Sequence, residues 1–254
     1  MKQYLNYIKD ILSQLQEIGY CSDAKLLNEN IGEDYFDITN PHFYTGDFES
    51  DLVMVQLNAK RTKKDFGKNL TYSYDEYINH YSNYGKIIYG IESRRVWKSA
   101  FDLKQIRFLK PLEILPFTNS NIFDDLEIVA DKKLQLELVP FGSPDFNYQK
   151  VGAINLNAYI DRLLELIVSK DRKCVVFCGR VFHDILKPFV VSEKIHCFKL
   201  LKINNEFTQN DYQLIEIQLE YKGKKLNAFI APQYAKHGIP LSEYGKKLRE
   251  LIKS

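Results

Sequence analysis

The chain has 254 residues, a net charge of +2 and 45% apolar residues, a composition typical of a globular protein with a full hydrophobic core. Such a small net charge gives no general sign of a nucleic-acid partner, although a local basic patch can still bind one. No stretch approaches the roughly 20 apolar residues of a membrane-spanning helix, and the amphipathic N-terminus does not resemble a signal peptide. We therefore expect a cytoplasmic monomer that makes no membrane contact.

The predicted elements alternate between helices and short apolar strands. Helical spacing of apolar residues predicts helices over residues 3–18, 73–90, 155–169 and 181–186, and a last helix after residue 242. Nearly continuous apolar runs, typical of strands buried on both faces, lie at residues 52–57 and 173–179, and residues 134–139 (LQLELV) predict a further strand that ends at Pro140. Residues 214–221 and 226–230 predict two more strands around a Lys222-Gly223 turn. Residues 19–50 are polar and irregular, and residues 96–130 give no clear pattern.

This alternation predicts an α/β fold with three layers, in which a mainly parallel central sheet carries helices on both faces. We expect a single domain over residues 1–254, with an N-terminal helix and irregular extension at 1–46 and an α/β core at 47–254. Ligands of such sheets bind outside the carboxyl ends of the strands. The segments after Leu57, Val139, Gly179 and Ile230 are therefore expected to carry the site.

Several enzyme classes are excluded by the absence of their motifs. The sequence has no GxxxxGK[ST] loop, no GxGxxG after a strand and no GxSxG elbow. Cys174 and Cys178 are four residues apart rather than in CxxC spacing, and no His pair completes a metal site, so we expect buried thiols and no metal or organic cofactor. The polar residues that remain at strand ends are Gln56, Asn58 and Glu137, together with the loop that follows residue 230.

Four segments, taken in order, resemble motifs of the uracil-DNA glycosylase superfamily. Residues 55–60 (VQLNAK) are similar to the V-G-[IM]-N-P-G motif of its mismatch-specific and single-strand-selective branches. Residues 136–141 (LELVPF) resemble the H-N-x-C-P-L strand of the single-strand-selective branch, and residues 175–180 (VVFCGR) resemble a third strand that usually ends in Gly-Lys or Gly-Arg. Residues 230–234 (IAPQY) stand where the family has its H-P-S-P loop. The resemblance covers about residues 47–252 and implies a uracil-DNA glycosylase-like fold.

The resemblance implies a monofunctional DNA glycosylase, which flips a base out of the helix and hydrolyses its N-glycosidic bond, leaving an abasic site. Asn58 matches the catalytic Asn that positions water for attack at the sugar C1′. The implied base-binding residues are Gln56, Phe66, Glu137 and Phe141, with Phe66 stacking on the flipped base. The implied DNA contacts are made by the basic loop residues Lys60, Arg61, Lys63 and Lys64, and by Gln233, Tyr234, Lys236 and His237 of the later loop. No Lys stands where a Schiff-base nucleophile is expected, so lyase activity is not implied.

Three positions depart from the family's pattern, and the base-reading position differs as well. Gln56 replaces Gly, Ala59 replaces Pro and Ala231 replaces His. Glu137 stands in place of an Asn that reads uracil, and because a carboxylate only accepts hydrogen bonds, it suits the exocyclic amine of cytosine. This favours a cytosine-type base modified at C5, as in defence against phages with modified DNA. A protonated Glu137 would instead allow uracil, as in DNA repair.

Other interpretations of these residues remain open. Asn58 can simply cap a turn, and Glu137 can form a salt bridge with a Lys or Arg. The altered motifs also fit a catalytically inactive module that binds nucleic acid or a nucleotide. A third hypothesis is an unrelated α/β enzyme that acts on a small nucleotide, which predicts no salt-sensitive DNA affinity.

Overall fold

A computed structural model describes residues 1–68, 70–93, 95–118, 121–151, 155–202, 204–233 and 239–253. Seven strands form one sheet. They are β1 (Tyr44–Gly46), β2 (Leu52–Gln56), β3 (Leu134–Glu137), β4 (Cys174–Cys178), β5 (Val190–Phe198), β6 (Tyr212–Tyr221) and β7 (Lys224–Ala231). Their order in the sheet is β1-β3-β2-β4-β7-β6-β5. The four strands that carry or precede the glycosylase-like segments, β3, β2, β4 and β7, are therefore consecutive.

The helices in the described ranges are α1 (Lys2–Ile18), α2 (Ser22–Ile31), α3 (Tyr74–Ser82), α4 (Tyr84–Tyr89), α5 (Ala100–Leu109), α6 (Ile122–Asp131), α7 (Tyr148–Val151), α8 (Asn157–Ile167), α9 (Val181–Leu186) and α10 (Leu241–Lys253). None of the helices in these ranges has the length and apolar character needed to span a membrane.

The prediction of an α/β fold is confirmed, and the sheet is mixed with a mostly parallel core. β7 pairs in parallel with β4 and antiparallel with β6, and β6 pairs antiparallel with the edge strand β5. The β6–β7 turn has positive φ at Lys222 (50°) and Gly223 (76°), the conformation that a tight hairpin turn with the sheet's twist requires. Together the helices and the sheet are consistent with a three-layer architecture.

Four details differ from the sequence prediction. The predicted helix over 73–90 is two helices, α3 and α4. The segment predicted as irregular contains α2 and β1, and the unassigned stretch from 96 contains α5 and α6. The edge strand β5 was not predicted, because five successive residues are exposed and no buried alternation marks it.

The chain forms two compact units that interleave along the sequence. Unit 1 comprises Met1–Tyr44, Val55–Tyr81 and Gln135–Lys170. Its N-terminal helix α1, predicted over residues 3–18, buries Ile8, Ile11, Leu12 and Leu15, whereas Ile18 is half exposed. α1 packs on α8, where the rings of Tyr7 and Tyr159 meet edge to face with centroids 6.4 Å apart. The N-terminal helix is therefore part of the packed core of unit 1.

Unit 2 comprises Thr45–Met54, Ser82–Leu134 and Asp171–Ser254. In this unit α4 packs on α6 and α10 packs on α5, over a core that includes Leu52, Phe108 and Tyr244. Cys174 and Cys178 are buried free thiols, as predicted. Burial raises the pKa of Cys174 to about 12, so this thiol stays protonated and inert near neutral pH.

Candidate active site

The ends of β2 and β3 meet in unit 1, as the sequence predicts. The Leu138 amide donates to the Gln56 carbonyl at 2.8 Å, and the Val139 amide donates to the Leu57 carbonyl at 2.9 Å. The two chains stay together beyond the strands, since the Ser143 amide donates to the Ala59 carbonyl at 3.1 Å. The segments after β2 and β3 therefore form one continuous edge of unit 1.

Asn58 lies at this edge, partly exposed, with its amide held by the opposite segment. Its Nδ2 donates to the carbonyl of Phe141 at 3.2 Å and to Ser143 Oγ at 2.7 Å. A backbone carbonyl can only accept a hydrogen bond, so the side-chain atom of Asn58 that contacts the Phe141 carbonyl must be the amide nitrogen. Both N–H groups of the amide are thus used, and no described residue donates to Oδ1. The carbonyl oxygen of Asn58 is the end of the side chain left to accept a hydrogen bond from water or a ligand.

Three of the residues predicted to bind the base are enclosed. Phe141 is fully buried, and its backbone carbonyl rather than its ring contacts Asn58. Gln56 is 9% exposed, and its buried Nε2 has no hydrogen-bond partner among the described residues. Glu137 is 4% exposed. A base would therefore reach these side chains only after neighbouring groups moved.

The Glu137 carboxylate has an incomplete set of partners. Its Oε1 accepts from Gln135 Nε2 at 3.1 Å and lies 3.6 Å from His42 Nδ1, whereas Oε2 has no described partner. In the described ranges no Lys or Arg lies within ion-pair distance, so the salt bridge considered from the sequence is replaced by a His contact. A buried carboxylate with an open oxygen is costly, so Glu137 is an unusual polar group for the interior of unit 1.

A small cavity borders Glu137. It is lined by Tyr4, Tyr159 and Arg162 among others and has a volume of about 10 Å³, enough for one water molecule but not for a pyrimidine. Arg162 Nη1 is also buried without a described partner. Burial, and then the Glu137 charge, raises the pKa of Tyr4. The cavity is therefore a small space with a mostly apolar lining, bordered by polar side chains, and it is too small to hold a base.

The basic loop divides into a packed part and an exposed part. Arg61 Nη1 lies 3.7 Å from Asp37 Oδ2, and Asp37 is fully buried. Gly142 makes room for this arginine, since a Cβ there would stand 2.7 Å from Arg61 Cγ and Cδ. Lys60, Lys63 and Lys64 are exposed and form no ion pair with any described residue. The three lysines, but not the arginine, are available to phosphates.

Another part of that loop contains a local, solvent-exposed ion pair. Lys68 Nζ lies 2.8 Å from Asp65 Oδ1, and hydrogen bonds from Lys68 and Thr62 hold the pKa of Asp65 at about 2. Phe66, the predicted stacking residue, is half-buried between these positions. Its side chain is thus partly available at the surface, unlike the enclosed Phe141.

The end of β7 and the described start of the later loop belong to unit 2. There the Gly179 amide donates to the Ala231 carbonyl at 2.7 Å, so the ends of β4 and β7 also meet, as predicted for parallel strands. Gln233 is exposed. Tyr234, Lys236 and His237, predicted to contact DNA, lie outside the described residues.

Sequence reasoning missed three residues that shape the edge of unit 1: Asp37, His42 and Ser143. Asp37 and His42 precede β1 in a segment with no apolar periodicity, and nothing local links them to Arg61 or Glu137. Ser143 lies in the Pro140–Pro144 stretch that predicts a strand stop, but its bond to Asn58 is visible only in three dimensions.

Comparison with known proteins yields no relative: no protein-family model matches the chain, and no curated protein matches it. Within the described ranges, no group of three or more His, Cys, Asp or Glu residues is arranged to hold a metal ion.

Proposed function

We propose that the protein is a monofunctional DNA N-glycosylase in which Asn58 orients the attacking water. The observation that carries the proposal is the state of the Asn58 amide: both N–H groups are bound by the Phe141 carbonyl and Ser143 Oγ, which leaves Oδ1 to accept. A fixed acceptor at a strand end is what a water-positioning group needs, because the water is then held without reorganisation during the reaction.

The surroundings of Asn58 support a nucleic-acid substrate. Lys60, Lys63 and Lys64 follow Asn58 in the chain, are exposed, and carry charge that can hold phosphates without reading sequence. Phe66 offers a partly exposed ring in the same loop. The ordered resemblance of four segments to glycosylase motifs adds to this, and the strands concerned are neighbours in the sheet.

The base is proposed to be uracil-type or a modified cytosine. Glu137 would select the cytosine amine when ionised, but the cavity beside it holds no more than a water. A base contact with Glu137 therefore requires the wall formed by Tyr4 and Tyr159 to move. Modified cytosine would fit a role in antiviral defence, and uracil a role in repair.

A second candidate is a module that binds nucleic acid without cutting it. The observation that favours it is the enclosure of Gln56, Glu137 and Phe141, because residues of an intact base pocket are expected to face a cavity of ligand size. In this case the Asn58 amide simply ties two loop segments together.

Paired measurements of rate and stability on Asn58→Ala and Ser143→Ala separate the two candidates. Each substitution removes part of the same hydrogen-bond set, at about 1 kcal/mol per bond. If Asn58 orients water, Asn58→Ala lowers single-turnover excision by roughly 100-fold or more. Ser143→Ala keeps Oδ1 and the bond from Asn58 to the Phe141 carbonyl, so it lowers excision much less at a comparable loss of stability. Equal losses of excision in both variants, in step with stability, would contradict the catalytic role.

A further inference from the structure

A surface of unit 2 exposes apolar and basic side chains together. Trp97, the single tryptophan of the chain, is 57% exposed, and its neighbour Val96 is 85% exposed. Arg95 and Lys98 flank them in sequence. We call Arg95, Val96, Trp97, Lys98 and Phe123 the Trp97 patch. A group of large apolar side chains exposed close together often marks a surface that binds a partner.

The Trp97 ring is held flat against the protein. It lies nearly parallel to the ring of Tyr89, with 14° between the planes and 6.1 Å between the centroids. Tyr89 is itself fixed: its ring is fully buried, and its hydroxyl donates to Asp102 Oδ2 at 2.6 Å. With one face against Tyr89 and more than half of its surface in solvent, the indole is a pre-organised platform for another flat ring.

Two cationic groups that flank Val96 and Trp97 in sequence lie over a second aromatic ring, that of Phe123. Lys98 Nζ lies 4.9 Å from the centroid of the Phe123 ring, and the Arg95 guanidinium carbon lies 5.9 Å from the same centroid. Arg95 is paired with Asp124 at 2.7 Å. Lys98 makes no ion pair with any described residue, so the patch keeps a positive charge at the residue that follows Trp97.

We propose that the Trp97 patch binds single-stranded nucleic acid, with a base stacked on Trp97 and a phosphate held by Lys98. Proteins that bind single-stranded nucleic acid combine a stacking ring with nearby cations, because every base has a π-face and every phosphodiester linkage carries a negative charge. Charge complementarity favours this occupant over an apolar protein surface, for which an unpaired lysine would be a cost. The inference goes beyond the proposed function, since it needs no base excision.

Tryptophan fluorescence measures binding at the Trp97 patch directly, because Trp97 is the single tryptophan of the chain. Titration with an oligonucleotide of about 16 thymidines, a length within the usual site sizes, is expected to quench that fluorescence. In a parallel measurement by anisotropy of the labelled oligonucleotide, Trp97→Ala is expected to bind about 5- to 150-fold more weakly at fixed salt. Lys98→Ala is expected to bind more weakly and with a shallower salt dependence.

Phe207→Ala is the matched control, because Phe207 is another exposed aromatic residue of unit 2, at 64% exposure. It should bind the oligonucleotide as the wild type does. An abasic oligonucleotide of equal length should bind the wild type and Trp97→Ala equally, since it offers charge without bases.

Unchanged fluorescence on titration, or equal affinity of wild type and Trp97→Ala for the thymidine oligonucleotide, would overturn the proposal. So would self-association of the wild type that Trp97→Ala abolishes, which would make the patch a contact between copies. Thymine is not among the bases proposed for excision, so this titration is independent of the glycosylase assay. Quenching by the thymidine oligonucleotide together with no excision of any base in the glycosylase assay would refute only the proposed function, whereas excision in that assay without quenching in this titration would refute only this inference.

Discussion

The Arg61→Met substitution should destabilise unit 1, because Arg61 is the cation that faces the buried carboxylate of Asp37. Asp37 is fully buried. Its Oδ1 accepts from the Thr39 amide at 3.0 Å and from Thr39 Oγ1 at 2.7 Å, whereas Oδ2 is near only the Arg61 guanidinium among the described residues, at 3.7 Å. Oδ2 accepts no hydrogen bond from a described residue even in the wild type, so removing the arginine takes away the cation that faces this buried charge.

The expected cost is about 2 to 3 kcal/mol. Two unit charges at this separation attract by about 4 kcal/mol at an effective dielectric constant of about 20. Breaking a fully buried pair costs roughly 3 to 5 kcal/mol, and the Arg61 side chain is 22% exposed, so water offsets part of that cost. For a chain of this size the loss corresponds to a fall in Tm of roughly 5 to 10 °C.

Thermal unfolding measured by circular dichroism tests this value, with Lys63→Met as the matched control on the same loop. Lys63 is exposed and unpaired among the described residues, so its loss should leave Tm within about 1 °C while weakening DNA binding and its salt dependence. Asp37→Asn should recover part of the stability lost in Arg61→Met, because it removes the uncompensated charge. Equal Tm values for Arg61→Met and Lys63→Met would refute the assignment of Arg61 to the fold.

Two further predictions concern the backbone and pH. Gly46 has φ of 95°, and a Cβ there would lie 1.8 Å from the Lys133 carbonyl oxygen. Gly46→Ala should therefore lower the free energy of unfolding, measured in urea, by roughly 3 kcal/mol or more. Gly223 also has a positive φ, of 76°, but a Cβ there would meet no atom within 4 Å, so Gly223→Ala should cost only about 1 to 2 kcal/mol. Equal costs for the two substitutions would contradict the close approach at Gly46. Burial, with a contribution from His42, lowers the pKa of His80 below 6.5, so the folded state binds this proton less readily than the unfolded chain. Stability should fall as the pH drops through about 6.5 towards the lower folded-state pKa, and the fall should be smaller in His80→Gln; an unchanged pH profile in that variant would contradict the assignment.

Two strands of the core were predictable because their sequences are strongly apolar. β2 and β4 are buried along their whole length, so nearly continuous apolar runs mark them without reference to distant residues. β3 (LQLE) is equally buried, but it alternates apolar and polar residues, which is itself a strand pattern. The helix α2 was missed because only three of its ten residues are buried, too few for a clear stripe. The edge strand β5 was missed because most of its residues are exposed, in contrast to the buried core strands.

At the candidate site, the sequence predicted which chain segments lie together but not which side chains contact each other. The meeting of Asn58 with the segment after β3 follows from adjacent strand ends, and the structure places them in hydrogen-bond contact. The sequence could not show that Glu137 would be enclosed beside His42, or that Arg61 would pair with Asp37, because these partners are distant in the chain and are joined only by the fold. Burial of Phe141 likewise depends on neighbours that no local pattern reveals.

The measurement that tests the central claim most directly is the release of a free base from DNA. Purified protein and its Asn58→Ala variant would be incubated with single- and double-stranded oligonucleotides that contain uracil, cytosine, 5-hydroxymethylcytosine or glucosylated hydroxymethylcytosine. Alkali would then reveal abasic sites, and mass spectrometry would identify the released base. The account predicts alkali-labile sites at one of these bases with the wild type and a loss of roughly 100-fold or more with Asn58→Ala. Intact strands with every substrate, from protein that still binds the DNA, would contradict it and favour the binding module.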